Sequence, residues 1–587
     1  MSTYVLATET AAARVEKDLL PMLARHGYAV HSRRTAAGRR LILVDNPVHS
    51  VIAEAQGTGG DWIVAVGPFL YRGAGGAAAL SAYLAAFDPA ASDGPAAPWA
   101  QTQGHFTLLI HKHGRLYVLC DGLGAHKVYH DPDKAVLSNS FLAVLATLRR
   151  ARLDPDGAYI YAWTGACQAG RTFVEQVRFL DANVIAEPKA GTVTCHRMDP
   201  PVPMTADASP AAHDLPALAA ANLDVLRAGV SDVARWAEGK VRLSFSGGFD
   251  SRLLLAVLDG AGVRPELYTY GRAGDDDVRI AQAIAEACGL TCRVVDKTAT
   301  PPPAPGALCE VLDRALVVFD GWTNTGLFDT GADAADRPHR HDGGFVPMNG
   351  GLGEIYRNFF NLRGGGARLD DVAASFYHSF DPRWATARFD RRHYHEVIVG
   401  QLAAQLGVST DMPTRRLEMR RAQLLYPLFR GRFWIAREAE INQRFGPMLF
   451  PYLEHACVAA AAGLSLHARN LGRLQAEMIR QAAPELAALP SAYGFAFTES
   501  PSWQFRASTA KSLYRPMWLR RHGYRLRHRQ GAKDRGILGH ICLEEALDTA
   551  CPFTAPFFRH TEITDPDCYN RVVTMEWLAQ RFAFTPN

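Results

Sequence analysis

The chain lacks paired cysteines, long apolar runs and a large charge of either sign. Its ten cysteines include no CxxC pair, and Cys288 and Cys292 straddle an expected helix end, so neither a disulfide framework nor a zinc site is indicated. The most apolar stretches, such as HACVAAAAGLSL, are too short and too small in side chain to span a bilayer. The opening MSTYVLATETAAARVEKDLL has neither the basic flank nor the apolar core of a secretory signal, and we expect a cytoplasmic protein with no membrane partner. A net charge of +4 over 587 residues argues against a field built to hold nucleic acid. There is no internal repeat. With 48% hydrophobic and 21% charged residues, the composition is that of a folded protein with room for more than one domain.

The first 198 residues read mainly as strands. HFTLLIHKHGRLYVLCDGLG alternates through Phe106, Leu108 and Ile110, turns at His113 and Gly114, and alternates again through Leu116, Val118 and Cys120, which predicts a β-hairpin. RRLILVD, DWIVAVG and GTVTCHR add strands around shorter helical patterns such as SFLAVLATLRRA, giving an α+β domain on antiparallel sheet. DPPVPMTADASPAAHDLP, within 199–217, has linker composition. A second domain, 218–587, opens with the helix AANLDVLRAGVSDVARWAEG. It then alternates strand and helix through KVRLSFS, a helix from Asp250, ELYTYG, DDVRIAQAIAEACG and TCRVVD, the order of an α/β parallel sheet with crossover helices. Beyond residue 370 the pattern is mainly helical.

At the carboxyl end of the first of these strands stands SFSGGFDSRLLLAVLDG, residues 244–260. Gly247 and Gly248 let backbone amides approach an anion at a helix N-terminus, and Ser246 and Ser251 add hydroxyls. A Walker loop would need a lysine here and there is none. Asp250 would repel a phosphate unless a divalent cation stands between them, so the loop makes best sense with Mg²⁺ and a nucleotide's pyrophosphate. The bland alternative is a glycine turn with a capping aspartate.

These residues resemble the pyrophosphate-loop ATP pyrophosphatases, whose SGGxDS fingerprint is matched by Ser246, Gly247, Gly248, Asp250 and Ser251. The domain order is similar to that of the asparagine synthetase superfamily, closest in plan to lasso peptide macrolactam synthetases and β-lactam synthetases. In the N-terminal half, Asp121, Gly124 and Tyr129 match the family's post-hairpin segment. The resemblance implies an N-terminal half of Ntn-hydrolase type, here a degenerate glutaminase-like domain over 1–198, and ATP and Mg²⁺ as cofactors. It implies transfer of AMP to a carboxylate with release of pyrophosphate. In GGFVPMNGGLGEIYRNFF it implies that Glu354 helps Asp250 hold Mg²⁺; a glycine turn capped by glutamate is the plainer reading. Tyr270 and Gly271 fall where relatives place backbone around adenine and ribose.

The chain also departs from that pattern. Residue 2 is serine where glutamine-using relatives have cysteine, and the segments that clamp glutamine have no match, so glutaminase activity is not expected. The late segment LPSAYGFAF lacks the family's lysine; Lys511 could reach back or simply be an exposed helix residue. Gly351 stands where asparagine synthetases have a catalytic glutamate. RPHRHD, residues 337–342, and the basic run WLRRHGYRLRHRQGAKDR, 518–535, admit a metal site and a peptide contact, or plain solvated structure. The expected function is an ATP-dependent amide-forming ligase, of lasso macrolactam type, acting on a peptide or small carboxylate. A leader-binding protein or protease of the same pathway would be its partner. The alternatives are another ATP-dependent modification of a carboxylate or amide, or a silent scaffold that binds a peptide or partner enzyme.

Overall fold

The computed structural model describes residues 2–46, 48–89, 96–203, 214–364, 366–409, 416–515, 519 and 535–586. The basic run at 518–535 therefore lies outside the described residues except for Leu519 and Arg535, and the expected linker is described only at its two ends.

Two six-stranded antiparallel sheets make the N-terminal part. Their inner strands are buried on both faces, and the period of two divides those faces between different layers. Tyr4, Leu6, Leu41 and Leu43 of one sheet meet Val64, Val66, Leu109 and Val118 of the other in one buried cluster. The opposite face of the first sheet, with Val5, Ile42 and Val44, packs on Ala11 and Ala12 of helix Glu9–Arg14. The opposite face of the second, with Ile63, Ala65, Leu108 and Ile110, packs on Leu80 and Tyr83 of helix Gly76–Ala86. The layers thus run helix, sheet, sheet, helix. The expected hairpin joins Thr107–Lys112 to Arg115–Cys120 with Lys112 opposite Arg115. Its two turn residues, His113 and Gly114, have φ of +52° and +74°, as a two-residue turn matched to strand twist requires.

The helix expected to open the second part begins at Leu215, inside the expected linker. Asp214 caps it by accepting from Ala217 N at 3.1 Å, and Pro216 suits its first turn. A four-stranded parallel sheet follows, in the order Cys292–Val295, Glu266–Tyr270, Val241–Ser244, Val346–Met348. Val241, Leu243 and Phe245 are buried together, while Arg242 on the other face pairs with Glu266 at 2.6 Å. Helices Phe249–Gly260 and Asp276–Ala287 make the crossovers. The remainder is mainly helical and returns to the N-terminal part through helix Pro566–Arg581, whose Arg571 Nε donates to the carbonyl of Ala162 at 2.8 Å.

Charged side chains also join the two parts in a dry interface. Lys127 reaches Glu440 at 3.2 Å, and Glu440 pairs with Arg437 at 2.9 Å, all nearly inaccessible. Asp320 accepts from Ser140 Oγ and Phe141 N at 2.5 and 2.7 Å and pairs with Arg444. No described helix is long and apolar enough to cross a membrane.

Candidate functional site

The glycine loop leaves the carboxyl end of Val241–Ser244. Gly247 has φ of +74°, and a Cβ there would stand 2.6 Å from Ile280 Cγ2, so the turn and the close approach both require glycine. Gly248 caps the next helix without a side chain over its first turn, leaving that turn's amides to another acceptor. Ser246 is exposed and Ser251 buried, the Ser246 amide donating to Ser251 Oγ at 3.3 Å. Phe249, between the glycines and Asp250, stacks on Phe497 at 4.3 Å and leans on Tyr493 at 4.8 Å. Arg252 donates to the carbonyls of Leu489 and Pro490 at 2.7 and 2.6 Å and to that of Gly247 at 3.0 Å. The late segment is therefore bound to the loop by one ring and one guanidinium.

A second bare loop follows Val346–Met348. Asn349 Oδ1 accepts from Gly351 N at 2.7 Å. Leu352 takes a left-handed φ of +74° and is fully buried against Gly431, where a Cβ would come within 2.6 Å of it. This loop touches the first one directly. A Cβ on Gly353 would lie 2.2 Å from Asp250 Oδ1, and one on Gly350 would lie 3.1 Å from Ser251 N.

Between the loops the two carboxylates share one arginine. Arg357 Nη2 is 2.5 Å from Asp250 Oδ2 and 3.3 Å from Glu354 Oε1, and its Nη1 donates to the Tyr493 hydroxyl at 3.2 Å. Gln475 Nε2 donates to Asp250 Oδ1 at 2.8 Å, Tyr426 to Glu354 Oε2 at 2.6 Å, and Tyr452 to the Asp250 carbonyl at 2.8 Å. Burial pushes the Asp250 carboxyl up to about 6; Arg357 pulls against this and the charge of Glu354 adds to it. Burial, Glu354 and Asp250 likewise raise the Tyr426 phenol well above its ordinary range.

Asp250, Glu354, Gly248 and Ser251 are thus neighbours, drawn from segments a hundred residues apart. Tyr270 and Gly271 end the adjacent strand among other partners. The Tyr270 hydroxyl donates to Asp336 at 3.0 Å with Lys297 4.3 Å over its ring. Gly271 has φ of +141° and closes on Asp275. Lys511 is exposed on helix Trp503–Tyr514. Among the described residues no acidic, histidine and cysteine cluster of metal-binding size occurs. In RPHRHD, His339 pairs with Asp342 and His341 is buried. The stretch finishes a helix, Ala332–His339.

Arg357, Gln475 and Tyr493 were not singled out from the sequence. Gln475 left a signal: it sits with Leu474, Met478 and Ile479 on the buried stripe of helix Arg473–Ala482, and a fully buried glutamine in an apolar stripe needs a polar partner. Arg357 left none, being one of many arginines.

Ser2 is fully enclosed. Its hydroxyl donates to Asp45 Oδ1 at 2.7 Å and accepts from Asn46 Nδ2 at 3.1 Å and Val51 N at 3.2 Å. One donor and two acceptors are the full capacity of a hydroxyl.

A cavity of about 400 Å³ opens where the parallel strands end, with Tyr268, Tyr270 and Asn349 in its wall. Ligands of parallel sheets bind at such carboxyl edges. Comparison with known proteins gives no family model that matches the chain and no curated protein that matches it.

Proposed function

We propose that this chain is an ATP-dependent, AMP-forming amide ligase of the asparagine synthetase type. Its 1–198 half would be a glutaminase-like domain without glutaminase chemistry, and its 218–587 half the synthetase. The observation that carries the reading is the contact between two glycine loops that brings Asp250 and Glu354 to one nitrogen of Arg357 beside an uncapped helix N-terminus. The helix, sheet, sheet, helix stacking of the first half supports the Ntn-type assignment.

In this reading the amides from Gly247 onward, with Ser246 and Ser251, hold the polyphosphate, and Tyr270 and Gly271 border the nucleoside. The oxygen-only donor set of Asp250 and Glu354 fits Mg²⁺, which would neutralise the departing pyrophosphate. Arg357 already pairs with both carboxylates, so it must release one of their oxygens to make room, and it can then supply the positive charge expected of the missing lysine. A substrate carboxylate oxygen displaces pyrophosphate from the α-phosphorus, then an amine displaces AMP and gives up one proton. The saturated Ser2 hydroxyl supports an amine from the substrate rather than from glutamine. An amine tethered to the carboxylate gains effective concentration, which favours peptide macrolactam formation of the lasso type, with a leader-binding protein or protease as pathway partner.

The test is the product. With Mg²⁺, ATP and a candidate peptide the enzyme should release AMP and pyrophosphate, and the peptide should lose one water and its free N-terminus. Release of ADP and phosphate would sink the reading. The Arg357 clamp favours one rival, a silent scaffold in which arginine has replaced the cation for good. Such a scaffold would show no Mg²⁺-dependent ATP binding by titration calorimetry.

A further inference from the structure

We propose that the cavity at the strand ends is a receptor for a primary ammonium group, the amine substrate of the ligase proposed above. The inference rests on that reading for its catalytic meaning but not for its evidence.

The charged side chains in the cavity wall are almost all matched. Lys297 pairs with Asp333, Arg337 with Asp333 and Glu438, and Arg340 with Asp336 and with Asn442 Oδ1. Among the described residues Asp329 is the wall carboxylate without an ion pair. Asp329 accepts from Gly331 N at 2.8 Å, and Lys297 and Arg337 act on it only at longer range. Burial pushes its carboxyl above the ordinary range while the Gly331 amide pulls the other way, as expected of an acid in want of a counter-charge.

A second acceptor stands in the same wall. Asn324 is 6% exposed, and its Oδ1 has no hydrogen-bond partner among the described residues. Its orientation is fixed, because Nδ2 donates to the Trp434 carbonyl at 3.0 Å. A buried carbonyl left unpaired carries a desolvation cost, which a ligand N–H would recover.

Both groups belong to one segment held rigidly from behind. Asn570 donates to the Phe328 carbonyl at 2.7 Å and accepts from Phe328 N at 3.1 Å, Thr574 accepts from Leu327 N at 2.8 Å, and Arg571 donates to the Asn324 carbonyl at 2.9 Å. Gly326, at φ +100°, has no room for a Cβ, which would meet Asn570 Oδ1 at 2.2 Å. The acceptors are therefore presented without an ordering cost at binding. A carboxylate without an ion pair and a vacant acceptor in one cavity wall suit an ammonium with several N–H donors.

The experiment titrates the full chain with glycinamide, which carries a primary amine and no carboxylate, and with N-acetylglycinamide, whose amine is blocked. Glycinamide should bind at least tenfold more tightly than the blocked compound, and Asp329→Asn should lose at least tenfold of that affinity with an unchanged melting temperature. Equal binding of the two probes to the unaltered protein, a comparison that needs no variant, would overturn the proposal. So would undiminished glycinamide binding by Asp329→Asn. A parallel Mg²⁺-ATP titration separates the two readings: ATP binding without amine discrimination removes the receptor alone, and amine discrimination without ATP binding removes the ligase alone.

Discussion

Ser2, where no chemistry was expected, and Asp250, where it was, stand one in each half, and the protein treats them oppositely. Ser2 has no accessible surface and its hydroxyl is filled by Asp45, Asn46 and Val51. Asp250 keeps 21% of its side chain accessible, beside helix amides that no side chain caps. A polar group that neighbours saturate has been converted into structure. One at a loop edge with part of its surface open has room to meet a ligand.

The sharpest way to break this contrast is at Asp250. Asp250→Ala should lower pyrophosphate release about a thousandfold, on the order of 4 kcal/mol in the barrier, without unfolding the chain. Full activity in a pyrophosphate assay would place the chemistry elsewhere.

The next largest effect is expected in the seam between the halves. Lys127→Met leaves Glu440 with Arg437 and the backbone amide of position 127 in a buried interface, and breaking a buried pair from one side costs about 3–5 kcal/mol. Urea denaturation should register that loss across the whole chain. A melt in which only one half is weakened would show that the two fold independently.

How much of this was legible depends on whether the cause was local. The hairpin at His113 and Gly114 and the strand through Val241, Leu243 and Phe245 follow from alternation and turn residues, which neighbours in the chain decide. The two glycine loops could be read for the same reason. Their meeting was expected from the resemblance alone, because it depends on how Gly353 fits against Asp250 across the sheet. Arg357, Gln475 and Tyr493 arrive by packing alone. The inner N-terminal strands are buried on both faces, which hides from the pattern which face meets the second sheet and which a helix. The helix start at Leu215 was missed because the proline that marked a linker in composition sits in the first helical turn behind a capping Asp214.

A pH profile sharpens the picture of Asp250. Its carboxyl lies near 6 against 3.8 for the ordinary group, so the folded state binds the proton more tightly than the unfolded one. The stability this group contributes should therefore be present at acid pH and decline as pH rises from about 3.8 to about 6. Activity should move the other way across that window, since the charged form is the one that can hold a cation. Asp250→Asn should flatten the stability slope, and an unchanged slope would assign it to another group.

The smallest effect belongs to Ser2. Ser2→Ala removes one hydroxyl from a site where Asp45, Asn46 Nδ2 and Val51 N each lose a partner, and a lost hydrogen bond of this kind costs about 1 kcal/mol. Pyrophosphate release should be unchanged, and glutamate release from glutamine should be absent in both proteins. If the unaltered chain did release glutamate and Ser2→Ala abolished it, the Ser2 hydroxyl would have to leave Asp45 and Val51 during turnover. The N-terminal half would then be an enzyme in its own right, and the difference between the two sites would be one of resting state rather than of chemistry.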